Sequence, residues 1–429
     1  MSYPVQPEHF QTLVVGAGPA GIAAAVSAAE AGSRVALIDD NPEPGGQIWR
    51  AERNHPGPDT THGGNAAHWR NRLAAAPVTR LQGWSVFDQP DPMTLRAERE
   101  GVAADFSADR IILATGARER FLPFPGWTLP NVMGVGALQA MVKSGLPIRG
   151  KRVVIAGSGP LLLAVAHTLH AAGANVVAIA EQASLASLAA FTASLATSPA
   201  KLLQGLRYKA ATLGVPYHTG SWPLRAHGTG RVTSVVLSLK ERTHEIPCDY
   251  LACGFHLVPN IELPAMLGCR IEDGFVAVDD LQHTSVSGIF CAGEPTGIAG
   301  LEASLLEGEI AGLAAANRTA KAQHLVPRKQ AASRFAARLA RAFSLRPELK
   351  SIPQDNTIVC RCEDVTLDGL RPHPTWRAAK LHTRCGMGPC QGRICGSATA
   401  FLLDWNPGSV RPPMLPTLVS SLTSTEAPD

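Results

Sequence analysis

Gln11-Thr-Leu-Val-Val-Gly16-Ala-Gly18-Pro-Ala-Gly21 decides the fold of this 429-residue chain. The apolar run 11–16 predicts a short buried strand, and the Ala-rich segment 19–32 predicts a helix. A G-x-G-x-x-G turn has chemical meaning only there, after a strand and at the opening of a helix. Gly16 permits the tight turn, Gly18 lets backbone approach a pyrophosphate, and Gly21 lets helix and strand pack closely. With Pro19 and Ala20 between them, the first helical turn offers free N–H groups and the positive end of the helix dipole to phosphate. A second strand, 34–39, ends on Asp39, placed to hydrogen-bond a ribose hydroxyl, with Asp40 beside it. This is a βαβ unit, the start of a parallel sheet in an α/β protein, and its turn predicts a dinucleotide site.

The unit recurs. A strand over 151–157 leads into Gly157-Ser-Gly159-Pro-Leu-Leu162, a helix over 160–172 and a strand over 174–180 that ends before Glu181. Leu162 stands where the third glycine belongs and would crowd the helix–strand contact. An acid at 181 disfavours a 2′-phosphate, so NAD is the expected nucleotide rather than NADP. A working NAD site and a structural or non-redox nucleotide domain are the two alternatives. Strands are also expected at 231–239 and 288–292, and a helix at 301–316.

The length implies two or three domains, and 45% hydrophobic residues allow a sizeable core. A net charge of +4 is too small and diffuse for nucleic acid. The first ten residues lack a basic start and an apolar run, so a cytoplasmic protein is expected, peripheral at the inner membrane only through partners. The uncharged stretch Gln182–Ala200 carries Leu185, Leu188, Phe191 and Leu195 at helical spacing. It predicts an amphipathic helix, on the surface or in the core, because a span needs about 20 mainly apolar residues. Between 317 and 350, nine Lys/Arg face one acid, Glu348, while Phe335, Leu339 and Phe343 recur four apart. That pattern predicts a packed connecting helix with a solvated basic side. The tail after Pro407 is rich in Pro, Ser and Thr and is expected to be poorly ordered or draped over a neighbour.

Of nine cysteines, Cys248, Cys253, Cys269 and Cys291 are scattered. Cys248 and Cys253 have four residues between them, but they sit in neither nucleotide motif and are expected to be structural. The odd count and the lack of an export signal argue against a disulfide framework. Cys360-Arg-Cys362 and Thr383-Arg-Cys385-Gly-Met-Gly-Pro-Cys390-Gln-Gly-Arg-Ile-Cys395 argue for a metal. Thiolate-only ligation selects zinc or iron–sulfur, and a C-x-C pair is less usual for structural zinc.

Three further segments carry a resemblance. Pro44-Gly45-Gly46-Gln47, Ile112-Leu-Ala-Thr115-Gly116 and Gly288-Ile-Phe-Cys-Ala-Gly293-Glu294 resemble segments of two-dinucleotide-domain flavoproteins of the glutathione-reductase-like type. In those, the first loop flanks the flavin and the last acid, mostly Asp where Glu294 stands, contacts the ribityl chain. The resemblance implies FAD at the first site. The cysteine pattern resembles the bacterioferritin-associated-ferredoxin-like (BFD-like) [2Fe–2S] module, in which Ala often takes the place of Cys385. It implies Cys360, Cys362, Cys390 and Cys395 as ligands with Cys385 spare; zinc is the alternative.

Together, over about residues 10–405, the chain resembles the FAD- and [2Fe–2S]-containing subunit of heteromeric bacterial amino-acid dehydrogenases. That family includes the A subunits of opine oxidases, the B subunit of hydrogen cyanide synthase and the alpha subunit of D-hydroxyproline dehydrogenase. The most specific phrases are Pro44-Gly-Gly-Gln-Ile-Trp-Arg50, Ala114-Thr-Gly-Ala-Arg-Glu-Arg-Phe-Leu-Pro123 and 383–393. The resemblance implies a discontinuous FAD domain (10–148 and 255–320), a second NAD-like domain (149–254), a basic helical connector (321–354), a BFD-like domain (355–405) and a tail (406–429). It also implies a hetero-oligomer whose other members are an amine-oxidising FAD protein and, as a further candidate, a small ferredoxin-like one. This chain would pass electrons on to a quinone or another acceptor. No acid/base pair or nucleophile of its own stands out, and His256 is expected to be packed rather than a catalytic base. The rival enzyme is a self-contained NADH-dependent flavin reductase; the non-enzyme rival is a cofactor-stabilised scaffold or redox sensor.

Overall fold

The opening apolar run forms β1 (Glu8–Val15), buried along Leu13, Val14 and Val15. It feeds α1 (Pro19–Glu30), whose residues Ala20–Ala29 are all buried. Alanine suits such a helix, being the best helix former and small enough to sit against neighbours on every side. β2 (Val35–Asp39), α2 (Thr60–Ala75), β3 (Val78–Gln82), β4 (Ser85–Asp91), β5 (Thr94–Arg99) and β6 (Val102–Leu113) follow. This computed structural model describes residues 8–49, 60–197, 199–239, 242–406, 408 and 410–423. Arg50 of the Pro44–Arg50 phrase lies outside them, as do 407, 409 and 424–429 of the tail.

Two units emerge. The first comprises the described residues up to Arg118, Pro259–Ala337 and the described residues after 408. Its sheet runs β3-β2-β1-β6-β5-β4, parallel from β3 to β6 and antiparallel beyond, and the late strand Ile289–Cys291 pairs parallel with β6. Strand order reverses between β1 and β6, the place where open α/β sheets leave a ligand crevice at their carboxyl ends. The late helix Leu301–Ala315 lies directly on α1: a Cβ on Gly308 would be 2.1 Å from the Ala20 carbonyl oxygen. A glycine there lets the two helices touch backbone to backbone.

The second unit comprises Glu119–Val258 and the described residues of Arg338–Gly408. After β7 (Ala117–Glu119) come β8 (Val132–Gly134), α3 (Val135–Lys143), β9 (Arg152–Ser158), α4 (Leu161–Ala171), β10 (Asn175–Glu181), α5 (Leu185–Ser194), α6 (Pro199–Ala211) and β11 (Tyr217–Thr219). β12 (Ser221–His227), β13 (Ser234–Leu239) and β14 (Arg242–Pro247) form an antiparallel sheet, and β15 (Tyr250–Phe255) returns to a parallel one ordered β11-β10-β9-β15-β8. This is the expected repeat, with its own order reversal between β9 and β15.

The uncharged stretch does form a helix, α5, capped by the Ser184 hydroxyl, which accepts from the Ser187 N–H. None of its residues is buried, and Leu185 is 69% exposed. It is therefore a surface helix, although Phe191 packs edge-on to Phe343 at 5.4 Å. The connecting helix spans Thr319–Ala342, and Phe343, just past its end, is buried. The cysteine-rich segment has a small core of Val359, Leu367, Leu370, Trp376 and Ala379, and the Trp127 indole N–H donates to the Ile358 carbonyl at 2.6 Å. Among the described residues, no helix is long and apolar enough to cross a membrane.

Candidate functional site

The first site assembles at the carboxyl ends of β1 and β6. A Cβ on Gly21 would lie 1.7 Å from the Gly16 carbonyl oxygen, and one on Gly16 would lie 2.3 Å from that of Ala114. Nothing lies within 4 Å of a Cβ built on Gly18, so that face of the turn is open to a ligand. Asp39 is tied to the turn: its carboxylate accepts from the Ala17 N–H and from the backbone and side-chain N–H groups of Asn41. The loop at 44–47 closes on the same turn, the Gly45 N–H donating to the Ala17 carbonyl at 2.8 Å. Gly46 is so near that a Cβ on it would be 2.9 Å from Gly18 Cα. Gly293 sits against Ala20, and its N–H donates to the buried Glu307 carboxylate at 2.9 Å.

Thr115 and Gly116 are held by a residue that sequence reasoning missed. The Thr115 hydroxyl donates to the Asn260 carbonyl, while the Asn260 amide groups donate to the carbonyls of Thr115 and Gly116. Glu307 was also missed. Its signal was an acid spaced with Ser304, Gly308 and Ala311 on the buried face of Leu301–Ala315. Asp40 and Gln47 are exposed, and Asp40 accepts from the Asn41 side chain.

Glu294 is nearly buried. One carboxylate oxygen accepts from the Gly300 N–H at 3.2 Å, and the other, Oε2, has no partner. Burial, with a smaller push from Glu307, raises its pKa to about 7. An orphaned acceptor suits a ligand hydroxyl, and the open face at Gly18 suits a pyrophosphate. The site therefore fits a dinucleotide. In the flavin-free protein, the folded-state pKa lies above the ordinary value of 4.5, so the Glu294 contribution to stability is present below that pH and lost as pH rises through about 7. Flavin-free Glu294→Gln is accordingly expected to gain on wild type between pH 5 and pH 8, by roughly 3 kcal/mol at most. Thermal melts at both pH values check this; a pH-independent difference contradicts it.

The second site departs from the first. Leu162, at the place of Gly21, is buried, and the first turn of α4 is tighter: the Leu163 N–H reaches three residues back to the Pro160 carbonyl at 3.2 Å, where the matching Ile22 N–H reaches four back to Gly18 at 2.9 Å. Glu181 is completely buried, its two oxygens accepting from Gly159 and Ala183 N–H at 2.8 Å each, and burial raises its pKa to about 7. His256 is packed, with Nε2 bonded to the Phe343 carbonyl and its pKa lowered by burial. Cys248 and Cys253 are buried thiols whose pKa burial pushes up, to about 12 for Cys248. The nucleophile in disulfide exchange is the thiolate, so both are ill suited to it.

The C-terminal cysteines form two groups. Cys360, Cys385 and Cys395 have sulfurs within 4.8 Å of one another, and Cys362 and Cys390 pair at 3.6 Å. The Cys385 and Cys395 thiols, with the Gly386 and Glu363 N–H groups, hold the Cys360 pKa far below that of an ordinary thiol. The glycines of the phrase are steric: a Cβ on Gly388 would lie 2.3 Å from Cys362 Cβ, and one on Gly386 would enter the Trp376 ring. The structure thus brings all four proposed ligands into this region, and places Cys385 with two of them.

The profile described as "Pyridine nucleotide-disulphide oxidoreductase" matches residues 10–320. The chain belongs to that family. It is an FAD-dependent oxidoreductase chain, as the family and its relatives imply. It is 33% identical to the A subunit of opine oxidase from Rhizobium meliloti, over 92% of this chain and 82% of that one. It is 31% identical to the HcnB subunit of hydrogen cyanide synthase from Pseudomonas aeruginosa, over 90% of this chain and 91% of that one. The crystal structure of L-proline dehydrogenase from P. horikoshii shares its fold, with a TM-score of 0.69 at 18% identity over 98% of this chain and 81% of that one.

Proposed function

We propose that this chain is the FAD- and [2Fe–2S]-carrying electron-transfer subunit of a heteromeric amino-acid or opine dehydrogenase. The observation that carries the reading is the sorting of five thiols into a pair and a trio, in a chain with a dinucleotide site. For metal–sulfur bonds near 2.3 Å in tetrahedral geometry, two thiolates on one metal lie about 3.8 Å apart. The Cys362–Cys390 separation of 3.6 Å fits two ligands of one metal, and the other group supplies Cys360 and Cys395 for a second. A single zinc held by thiolates alone would need four of them in one group. FAD, when bound, supplies the exchange between a two-electron donor and one-electron carriers.

The protein's own residues do the rest. Gly18 leaves backbone room for the pyrophosphate, Gly46 lets its loop close on the turn, Asp39 fixes the turn beside the ribose, and the free Glu294 oxygen accepts a hydroxyl. N–H groups aimed at the Cys360 sulfur favour its thiolate and would tune a cluster's potential. Both curated relatives are named as subunits, which supports a hetero-oligomer. The partner in this reading is an amine-oxidising FAD protein, with a small ferredoxin-like protein as a further candidate; the acceptor is a quinone or similar, and the location cytoplasmic. Purifying the tagged chain from its own cells tests this. A second flavoprotein should co-purify, and dye reduction by D-hydroxyproline, proline or opines should require it. Amine oxidation by the isolated chain would contradict the proposal.

A further inference from the structure

We propose that the segment Phe343–Arg346 fills the ligand crevice of the second nucleotide-binding unit, so that this unit holds its own chain in place of a pyridine nucleotide. In a parallel sheet ordered β11-β10-β9-β15-β8, the crevice lies at the carboxyl ends of β9 and β15, where the order reverses. A dinucleotide would lay its pyrophosphate on the turn 157–159 and its ribose beside the acid that ends β10.

A Cβ built on Gly159 meets nothing within 4 Å, but the side chains that flank the turn at the ends of β9, β15 and β10 are all bound to the segment. Ser158, the middle residue of the phosphate turn, donates its hydroxyl to the Phe343 carbonyl at 3.0 Å. His256, the first residue after β15, bonds through Nε2 to that same carbonyl. The Phe343 carbonyl thus bridges the ends of the two strands that flank the reversal. Gln182, the first residue after β10, is completely buried and spends its side chain on the same segment. Its Nε2 lies 3.2 Å from the Phe343 carbonyl, 3.1 Å from that of Ser344 and 2.9 Å from the Ser158 hydroxyl, while its Oε1 accepts from the Arg346 N–H at 3.1 Å. Phe343 is 4% exposed, and its ring packs against Phe191 of α5.

Glu181 completes the substitution. Where Asp39 keeps part of its surface, Glu181 has none and turns both oxygens onto backbone N–H groups. A ribose could reach it only by taking it off those N–H groups and exposing a carboxylate whose burial already favours the neutral form. Displacing the segment would also break several buried hydrogen bonds at once. The consequence is chemical: this flavoprotein is insulated from the NAD(H) pool. The inference stands apart from the electron-transfer proposal, because it concerns binding and not turnover.

The test is calorimetric titration of the flavin-loaded full chain with NADH and NADPH, with hydrogen exchange of the 343–346 region followed alongside. No saturable binding up to millimolar nucleotide, with unchanged protection of the Arg346 amide, is the expected result. Saturable binding of either nucleotide overturns the proposal, whether or not the segment is released. A second measurement uses the double variant Ser158→Ala, Gln182→Ala, checked for unchanged FAD content. Exchange at the Arg346 amide should accelerate roughly tenfold or more as its anchors are lost. Unchanged exchange there would show that the crevice does not hold the segment, and would also overturn the proposal. Failure of amine-dependent activity with a partner would leave both outcomes intact, so the two proposals fail separately.

Discussion

Gly21→Ala is expected to yield protein that purifies without flavin. The added methyl carbon would lie 1.7 Å from the Gly16 carbonyl oxygen, which is backbone and cannot rotate away. To relieve the overlap, the amino end of α1 must move off β1 by more than an ångström, and the phosphate-binding N–H groups move with it. Forcing atoms into a packed contact costs about 1–3 kcal/mol in general. Here the displaced groups are the binding site itself, so FAD affinity should fall roughly 100-fold or more, by about 3 kcal/mol. Gly18→Ala makes the control. Its Cβ meets no protein atom, so the fold should survive, and any loss of flavin would come from obstruction of the pyrophosphate. Flavin absorbance after gel filtration and the thermal midpoint of each variant separate these effects. Full flavin content in Gly21→Ala would refute the assignment of the turn.

The second large effect concerns iron. Cys360→Ser is expected to abolish iron–sulfur absorbance and to leave less than about a tenth of the wild-type iron, since structural thiolate–metal sites contribute on the order of 10 kcal/mol. Cys385→Ser should retain both iron and spectrum, because Cys360, Cys362, Cys390 and Cys395 are the proposed ligands. The geometry makes this a sharp test: Cys385 lies in the same group as Cys360 and Cys395, with sulfurs within 4.8 Å. Its removal also withdraws a thiol that donates to the Cys360 sulfur, so a changed reduction potential with unchanged iron content is the expected signature. Loss of iron from Cys385→Ser, with iron kept in Cys390→Ser, would move the ligand set to Cys360, Cys362, Cys385 and Cys395.

Both flavin-site strands and both nucleotide-type units were legible because their signals are local. A run such as Thr12-Leu-Val-Val followed by glycines at fixed spacing dictates strand, turn and helix within about a dozen residues. Partners that meet only after folding were not legible. Asn260 stands far along the chain from the Thr115 it fixes, and nothing around it in sequence marks it out. Glu307 left a trace, since an acid on a buried helix face needs donors, which Gly293 and Thr296 supply. Leu162 is visible in the sequence as a departure from the glycine pattern. What it does not disclose is that the crevice behind it is closed by Phe343, whose apolar spacing with Phe335 and Leu339 reads only as a helix face. The grouping of Cys385 with Cys360 was likewise hidden, because spacing alone ranks five thiols without saying which sulfurs meet.

Anaerobic reduction of the purified, cofactor-loaded chain tests the central claim most directly. Flavin absorbance is followed as NADH, and then D-hydroxyproline, proline or an opine, is added, first to the chain alone and then with its amine-oxidising partner. The account predicts that neither donor bleaches the flavin of the isolated chain, and that the amine bleaches it within turnover time once the partner is present. Rapid bleaching by NADH in the isolated chain would contradict it.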